Sequence, residues 1–590
     1  MCGIFGKYNF VNEFIDENQI KRMGNVLAHR GPDNQGIYFG ETEAIGNQRL
    51  SIIDIKGGNQ PFSSSDGNIQ IVQNGEIYNY LELRKSLKKI GCKFKTNSDT
   101  EVILKLYETQ GENFVNKLNG MFAIAIFDKN LDKLFLYRDR VGVKPLYYFK
   151  DNKSLLFASE IKSILEGKIK KEINFEAINQ YLTFNYVPPP LTCFKEIYHV
   201  NPGTYLKISR NEKVEEKIWW DLSDFNQIDQ DESSFIEKFN HTLSESVSIR
   251  LRADVDFGAF LSGGVDSSSI VGHMSKKMDN PVETFCIGFE DKNFDESDFA
   301  QKASNLFSSS HNIQFVGPEI IKDWDEVIYK CDQPHGDISF IPTYRLSKLA
   351  KKKVKMVLTG DGGDEIFAGY DKYKDFFKIE SNYSNEEAFK KNYYENISLF
   401  SSVEQKRLIA NHSDDYQSSK ILFNSHLDKV RHWDFINQSL YIDMMMLLPG
   451  NNLVKPDRMG MAVSLEARTP YLDYRMIELA FSLRGSLKIK KGETKYLMKK
   501  ALVPLIGKEL SYRKKQMFTV PIGNWFRSHL HNDVLKYLNK MKEDYFFQDF
   551  FNLEEIDKLF NDHLESKKNN TRQVRSLIAL KKWVDIFNMS

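Results

Sequence analysis

The apolar residues of this chain change their period near residue 230, and no single-layer or single-core fold accommodates both patterns. Up to about residue 210 they fall in short β-branched and aromatic runs, at 44–47, 69–74, 121–128, 133–138 and 155–159, separated by turn residues. That spacing predicts strands. Helical spacing interrupts it at 17–29, at 80–90 and, after a short strand, at 100–110, and residues 201–208 read as a last hairpin. Residues 221–233 are polar and acidic without a period, which predicts a linker. Beyond it a helix at 234–252 leads to an apolar strand at 257–261, a Gly-rich turn and another helix. Strand and helix then alternate at 282–289, 298–306, 355–359 and from 366 onward, the signature of a parallel α/β sheet. From 380 to 590 the pattern is mostly helical, with low-signal polar stretches at 381–396 and 411–420. A chain of 590 residues exceeds one core. The reading is therefore an α/β protein of two domains, 1–215 and 230–590.

Composition excludes several classes. Lys+Arg number 81 against 80 Asp+Glu, so bulk charge gives no grip on nucleic acid. No apolar run approaches a membrane span, and no basic segment followed by an apolar one opens the chain. The five cysteines, Cys2, Cys92, Cys193, Cys286 and Cys331, are scattered without zinc-site spacing. A reduced, cytoplasmic protein is expected.

Cys2 carries the first chemical signal. Removal of Met1 would place a free α-amine, pKa roughly 7.7–8.0, on the same residue as a thiol of about 8.5. Near neutral pH the amine can take the thiol proton, so one residue holds nucleophile and base. Alone, Cys2 reads equally well as an early strand residue.

The second signal is Ala259-Phe260-Leu261-Ser262-Gly263-Gly264-Val265-Asp266-Ser267-Ser268. Strand, glycine turn and helix follow in the order that brings backbone N–H groups and a positive helix end to one anion. Asp266 beside a phosphate makes sense with a cation such as Mg2+ between them. No Gly-Lys-Ser/Thr follows, so the loop is not of the Walker type; it resembles that of ATP pyrophosphatases, which implies cleavage between the α- and β-phosphates. A further acidic loop, Thr359-Gly360-Asp361-Gly362-Gly363-Asp364-Glu365, ends another strand. Strand ends of an open sheet share one crevice, so Asp361 and Asp364 are expected to face Asp266.

Further motifs occur in order. They are Met1-Cys2-Gly3-Ile4-Phe5-Gly6, His29-Arg30-Gly31-Pro32-Asp33, Gln48-Arg49-Leu50-Ser51-Ile52, Asn74-Gly75-Glu76-Ile77-Tyr78-Asn79 and Ser98-Asp99. Asp457-Arg458 and Leu465-Glu466-Ala467-Arg468-Thr469-Pro470-Tyr471-Leu472-Asp473 follow in the second half. Through these and the two loops, most of the chain resembles the glutamine-dependent asparagine synthetases. The resemblance implies an N-terminal-nucleophile αββα sandwich glutaminase joined to a parallel-sheet ATP-pyrophosphatase-type synthetase domain with a helical C-terminal region. It implies that Cys2 attacks glutamine, that Asn74 and the Gly75 N–H form an oxyanion hole, and that Arg49, Asn74, Glu76 and Asp99 bind glutamine. Asn74-Gly75 also reads as a hairpin turn and Asp99 as a helix cap. ATP would be held by Leu261, Ser262, Gly263, Gly264, Asp266, Ser267, Ser268, Ile287, Thr359 and Gly360, and Mg2+ by Asp266 and Asp364. Asp361 and Lys495 would be catalytic, Lys495 offsetting charge at the reacting phosphorus; Arg468 would brace a loop. An acyl-adenylate, an internal ammonia channel, small-molecule substrates, no nucleic-acid or membrane partner and a homodimer complete what the resemblance implies.

Two departures bear on the acceptor. Asp361 stands where aspartate-using relatives commonly carry Glu. Ile338, in Cys331-Asp332-Gln333-Pro334-His335-Gly336-Asp337-Ile338-Ser339-Phe340-Ile341-Pro342, aligns with an Arg near their aspartate. Aspartate is the first expectation, another carboxylate (a sugar acid of a surface polysaccharide or a peptide intermediate) the second, and a non-catalytic scaffold the third.

Overall fold

A computed structural model describes residues 2–225, 227–228, 231–411, 418–514 and 520–589. The expected linker falls partly on 226 and 229–230, and the low-signal stretch at 411–420 partly on 412–417, outside the described residues.

The first half folds as two six-stranded antiparallel sheets laid face to face. One has the order Ile197–His199, Tyr147–Lys150, Ser154–Ala158, Cys2–Asn9, Glu43–Arg49, Asn34–Phe39; the other runs Val214–Ile218, Thr204–Ser209, Lys133–Arg138, Gly120–Asp128, Ile69–Ile77, Phe62–Ser63. Alternation of side chains explains the layering. Ile4 and Tyr8 point between the sheets with Val72, Ala123, Ala125 and Phe127. Phe5 points to the other side, against Ile20 and Met23 of the helix Glu17–Asn25. Ile71, Ile124 and Ile126 point outward under the helix Asp99–Gln110. Strands covered on both faces read as near-continuous apolar runs, and the whole is the expected αββα sandwich.

Two details differ from the sequence reading. The helix expected over 17–29 stops at Asn25, and residues 26–30 continue as turns that carry Arg30 under Cys2. The short strand expected before 100 is a loop. The backbone N–H groups of Lys95 and Thr96 donate to the Glu101 carboxylate at 2.7 and 2.8 Å, so they are not available to a strand partner.

The second half is built on a parallel sheet of order Ser310–Val316, Glu283–Phe289, Phe257–Phe260, Met356–Leu358, Glu466–Arg468. The helix Glu232–Arg250 begins two residues before the expected start, where Asp231 caps it by accepting from Ser234 N–H at 2.9 Å. The edge strand Glu466–Arg468 arrives after more than 100 residues of mainly helical chain. Three residues, two of them charged, carry no strand period. The C-terminal helices fold back over both halves: Phe194 packs edge-on against Trp583 and Phe587 at 5.2 and 5.4 Å. Among the described residues no helix is long and apolar enough to cross a membrane.

Candidate active sites

Antiparallel register builds the first site. Cys2 opens its strand opposite Arg49, and the Cys2 nitrogen lies 3.1 Å from Asn74 Oδ1 on the facing sheet. That nitrogen is the one that would become the α-amine. Burial pushes the Cys2 thiol up, while the Leu50 N–H, the Asn47 side chain and the Arg49 charge oppose the shift. A thiol held protonated needs a base at hand, which the amine would supply. Next to Asn74, position 75 admits only glycine, because a Cβ there would sit 2.0 Å from Met121 O. Asn74 Nδ2 donates to Ser159 Oγ at 3.4 Å.

The remaining glutamine-site candidates surround this pair. Arg49 is buried, and its terminal nitrogens donate to Ile53 O, Asp54 O, Ile55 O and Asn59 Oδ1 at 2.7–3.1 Å. It therefore shapes the 53–59 loop over Cys2, and a substrate carboxylate would take over part of this set. Asp99 is not the cap of its helix; Ser98 is. Asp99 instead accepts from Gln73 Nε2 at 3.1 Å and Ile77 N–H at 3.0 Å, and burial raises its carboxyl. Burial and the neighbouring Glu466 push the Glu76 carboxyl well above the usual range, with Arg468 opposing. An ammonium arriving there would gain a carboxylate by lowering that value.

Two buried connections tie this site to the second half. Arg30 donates to Cys2 O at 3.0 Å, to Glu160 at 2.9 Å and to both oxygens of Asp457 at 2.9 and 3.2 Å. Arg458 pairs with Glu160 and Asp332, and Lys162 with the same two acids. Asp457 and Arg458 belong to the helix Val454–Met461, whose Lys455 faces the second site. The other connection is Arg468, which bonds Glu466 at 2.6 Å and the carbonyls of Arg250 and Arg252 at 2.8 Å, and lies 3.5 Å from Glu76.

The second site is a cavity of 1210 Å³ at the carboxyl ends of the parallel strands. Leu261, Ser262, Gly264, Asp266, Ser267, Ile287, Thr359, Gly360, Asp361, Asp364 and Lys495 line it; Gly263 and Ser268 lie in the turn and helix behind. Gly263 takes φ +71°, and a Cβ there would meet Phe299 at 2.3 Å. No side chain caps the helix Val265–Ser275, so its first N–H groups face the cavity. The acidic loop interlocks with this turn: a Cβ on Gly363 would touch Asp266 Oδ1 at 2.4 Å. Lys495 is left-handed at φ +53°, buried, and pairs with Asp266 at 2.6 Å and Asp364 at 2.7 Å. Burial raises the Asp361 carboxyl, opposed by Lys455 and by a 2.7 Å bond from Thr359 Oγ1.

The donor set fits a divalent cation. Asp266 and Asp364 already converge on one positive charge, the Lys495 ammonium. Among the described residues no three His, Cys, Asp or Glu side chains form a cage. Two carboxylates completed by phosphate oxygens and water suit Mg2+.

The Asparagine synthase family model matches residues 238–585, and the Glutamine amidotransferase domain model matches residues 1–220. The chain belongs to the asparagine synthase family. It is 32% identical to glutamine-hydrolyzing asparagine synthetase 1 of Bacillus subtilis (strain 168), over 99% of this chain and 97% of that one. Asparagine synthetase 3 of the same organism is 30% identical over 88% and 87%. Amidase chry2 of Gibberella zeae is 27% identical over 88% and 87%. As a member of this family the chain is an ATP-dependent, amide-forming ligase that takes its nitrogen from glutamine.

Sequence reasoning gave no role to several residues that the fold brings to these sites. Asn47 and Ser159 reach Cys2 and Asn74 from separate strands or loops. Arg30, Asp457 and Arg458 lay inside quoted motifs, yet nothing in one dimension pairs position 30 with 457. Arg513, bonded to Glu296 at 2.6 Å beside the phosphate loop, and Lys455, Arg572 and Arg575 had no signal beyond their charge.

Proposed function

We propose that the chain converts aspartate to asparagine through an acyl-adenylate, releasing AMP and pyrophosphate, with Mg2+. The observation that supports this most is the single cavity in which the uncapped helix, two acidic loops and Lys495 meet a cationic far wall. The Cys2 amine would take the thiol proton and Sγ would attack the glutamine amide. Asn74 Nδ2 and the Gly75 N–H would hold the oxyanion, each such donor being worth about 3 kcal/mol. In the cavity the helix N-terminus would orient the phosphates. Lys495 would follow the charge onto the leaving pyrophosphate. Asp266 and Asp364 would hold the cation, whose contribution once bound is to neutralise that pyrophosphate. Asp361, with its raised carboxyl, would accept the proton that the ammonia nitrogen sheds as it bonds to the acyl carbon and AMP leaves. The five free cysteines suit the reducing cytoplasm.

A different carboxylate acceptor is the second reading. It is favoured by the buried, apolar Ile338 in the cavity wall. Pyrophosphate release with Mg2+-ATP and ammonia tests both. Release that depends on aspartate and yields asparagine supports the first. Intact glutamine hydrolysis without aspartate-dependent release sends the search to larger acids.

A further inference from the structure

The charged side chains of the cavity form a file. Asp266 and Asp364 meet Lys495 at the phosphate loop, and Asp361 comes next, facing Lys455. Lys455 lies 3.8 Å from Asp337 and 3.1 Å from the Ser339 hydroxyl. Asp337 in turn faces Arg575 and Arg572. ATP and the reacting carboxylate account for the near end of this file. They do not account for the two arginines.

Arg572 and Arg575 stand three residues apart on the helix Thr571–Phe587, on one face, and both line the cavity. Neither guanidinium pairs with a carboxylate among the described residues, and Arg575 Nε is buried without a partner. The fold itself holds them in place. Ser576, beside Arg575, bonds Asn185, and its carbonyl accepts from Tyr181 Oη at 2.8 Å. Gly336 N–H bonds Asn185 O at 3.1 Å, and a Cβ on Gly336 would strike Asn185 Oδ1 at 1.8 Å. The last helix is thereby fixed to both halves of the chain at the level of the arginines.

Local energetics oppose two cations there. Arg572 is the second residue of its helix, where the dipole favours anions, and no acidic residue stands in that turn. Burial pulls the Arg575 guanidinium down to about 10, with Asp337 opposing and Arg572 adding to the shift. A bound anion would reverse both penalties, and a carboxylate matches the planar guanidinium fork.

The geometry points to Arg572 and Arg575 as specificity-determining residues that bind a second carboxylate of the acceptor acid, the one that ATP does not activate. This rests on the amidation reading of the cavity. It makes the acceptor a dicarboxylic acid, because a monocarboxylic acid would leave both guanidiniums unmatched.

Calorimetric titration of the full chain, loaded with Mg2+ and a non-hydrolysable ATP analogue, tests it with aspartate, glutamate and β-alanine, which is aspartate without its α-carboxylate. At least one dicarboxylate is expected to bind roughly tenfold or more tightly than β-alanine. That preference should vanish in Arg575→Gln and Arg572→Gln and survive in part in Arg575→Lys, which keeps the charge without the fork. Glutamine hydrolysis needs neither arginine and should be unchanged in all three. A wild-type protein that binds dicarboxylates no better than β-alanine overturns the proposal, as does an unchanged preference in Arg575→Gln. Should Arg575→Gln lose glutamine hydrolysis, Arg575→Lys decides by the same preference. An arginine-dependent preference without aspartate-driven pyrophosphate release leaves the clamp standing and removes aspartate as the acceptor. Release with an unchanged aspartate KM in Arg575→Gln removes the clamp and leaves the acceptor.

Discussion

The two sites are built in opposite ways. Around Cys2, reacting groups sit on neighbouring antiparallel strands, so that Arg49 is placed by register and Asn74 by the facing sheet. The synthetase cavity instead collects Asp266, Asp361, Lys455, Lys495 and Arg575 from loops and helices spread over about 300 residues. Strand packing yields a small buried site whose geometry is fixed by backbone hydrogen bonds. Loop ends yield a large site whose charges are held by one another. The first tolerates little change of shape, and the second little change of charge.

Removing the nucleophile should break the comparison most sharply. Cys2→Ala is expected to lower glutamine-dependent synthesis by a factor of about 10^4 or more, with ammonia-dependent synthesis retained, read by pyrophosphate release with each nitrogen source. Next in size is Lys495→Ala, expected to slow adenylation by roughly 10^2–10^3 while glutamine hydrolysis persists. Leaving Asp266 and Asp364 without their shared cation should also make activity more dependent on Mg2+ concentration.

The link between the sites comes third. Asp457→Ala would leave Arg30 short of its bidentate partner in a buried cluster. It should destabilise the protein by about 3–5 kcal/mol, measured by denaturant unfolding, and should impair both half-reactions. An effect confined to one half-reaction would show that the cluster does not join them.

The smallest effect concerns charge at the far wall. Against the cost of its burial, Lys455, Arg575 and the Ser339 N–H hold the Asp337 carboxyl down to about 2. Its folded value lies below its unfolded one, so the unfolded chain binds the extra proton. The stabilisation is therefore complete above about pH 4 and fades as pH falls toward 2. Comparison of urea midpoints for wild type and Asp337→Asn at pH 5 and pH 2.5 should show the difference shrinking at the lower pH.

How much was legible in the sequence differs between the regions for the same reason. The strands of the first half announce themselves because one face or both are buried, and the turn Ser262-Gly263-Gly264 because backbone must approach an anion closely. The strand Glu466–Arg468 has three residues and no period, so only its neighbour Met356–Leu358 defines it. The loop at 91–98 hid its destination because the Glu101 side chain, not a strand, satisfies it.

The sequence by itself determined the chemistry. It holds the residue types that nucleophilic attack and phosphate binding require, set in short motifs where local backbone geometry must be special. Only the tertiary structure decided which distant charges meet: Arg30 with Asp457, Arg468 with Glu76, and Lys495 with Asp266 and Asp364. Motifs record what the backbone must do within about ten residues. Pairing across hundreds of residues is fixed by how apolar faces pack, and that leaves no mark at either residue alone.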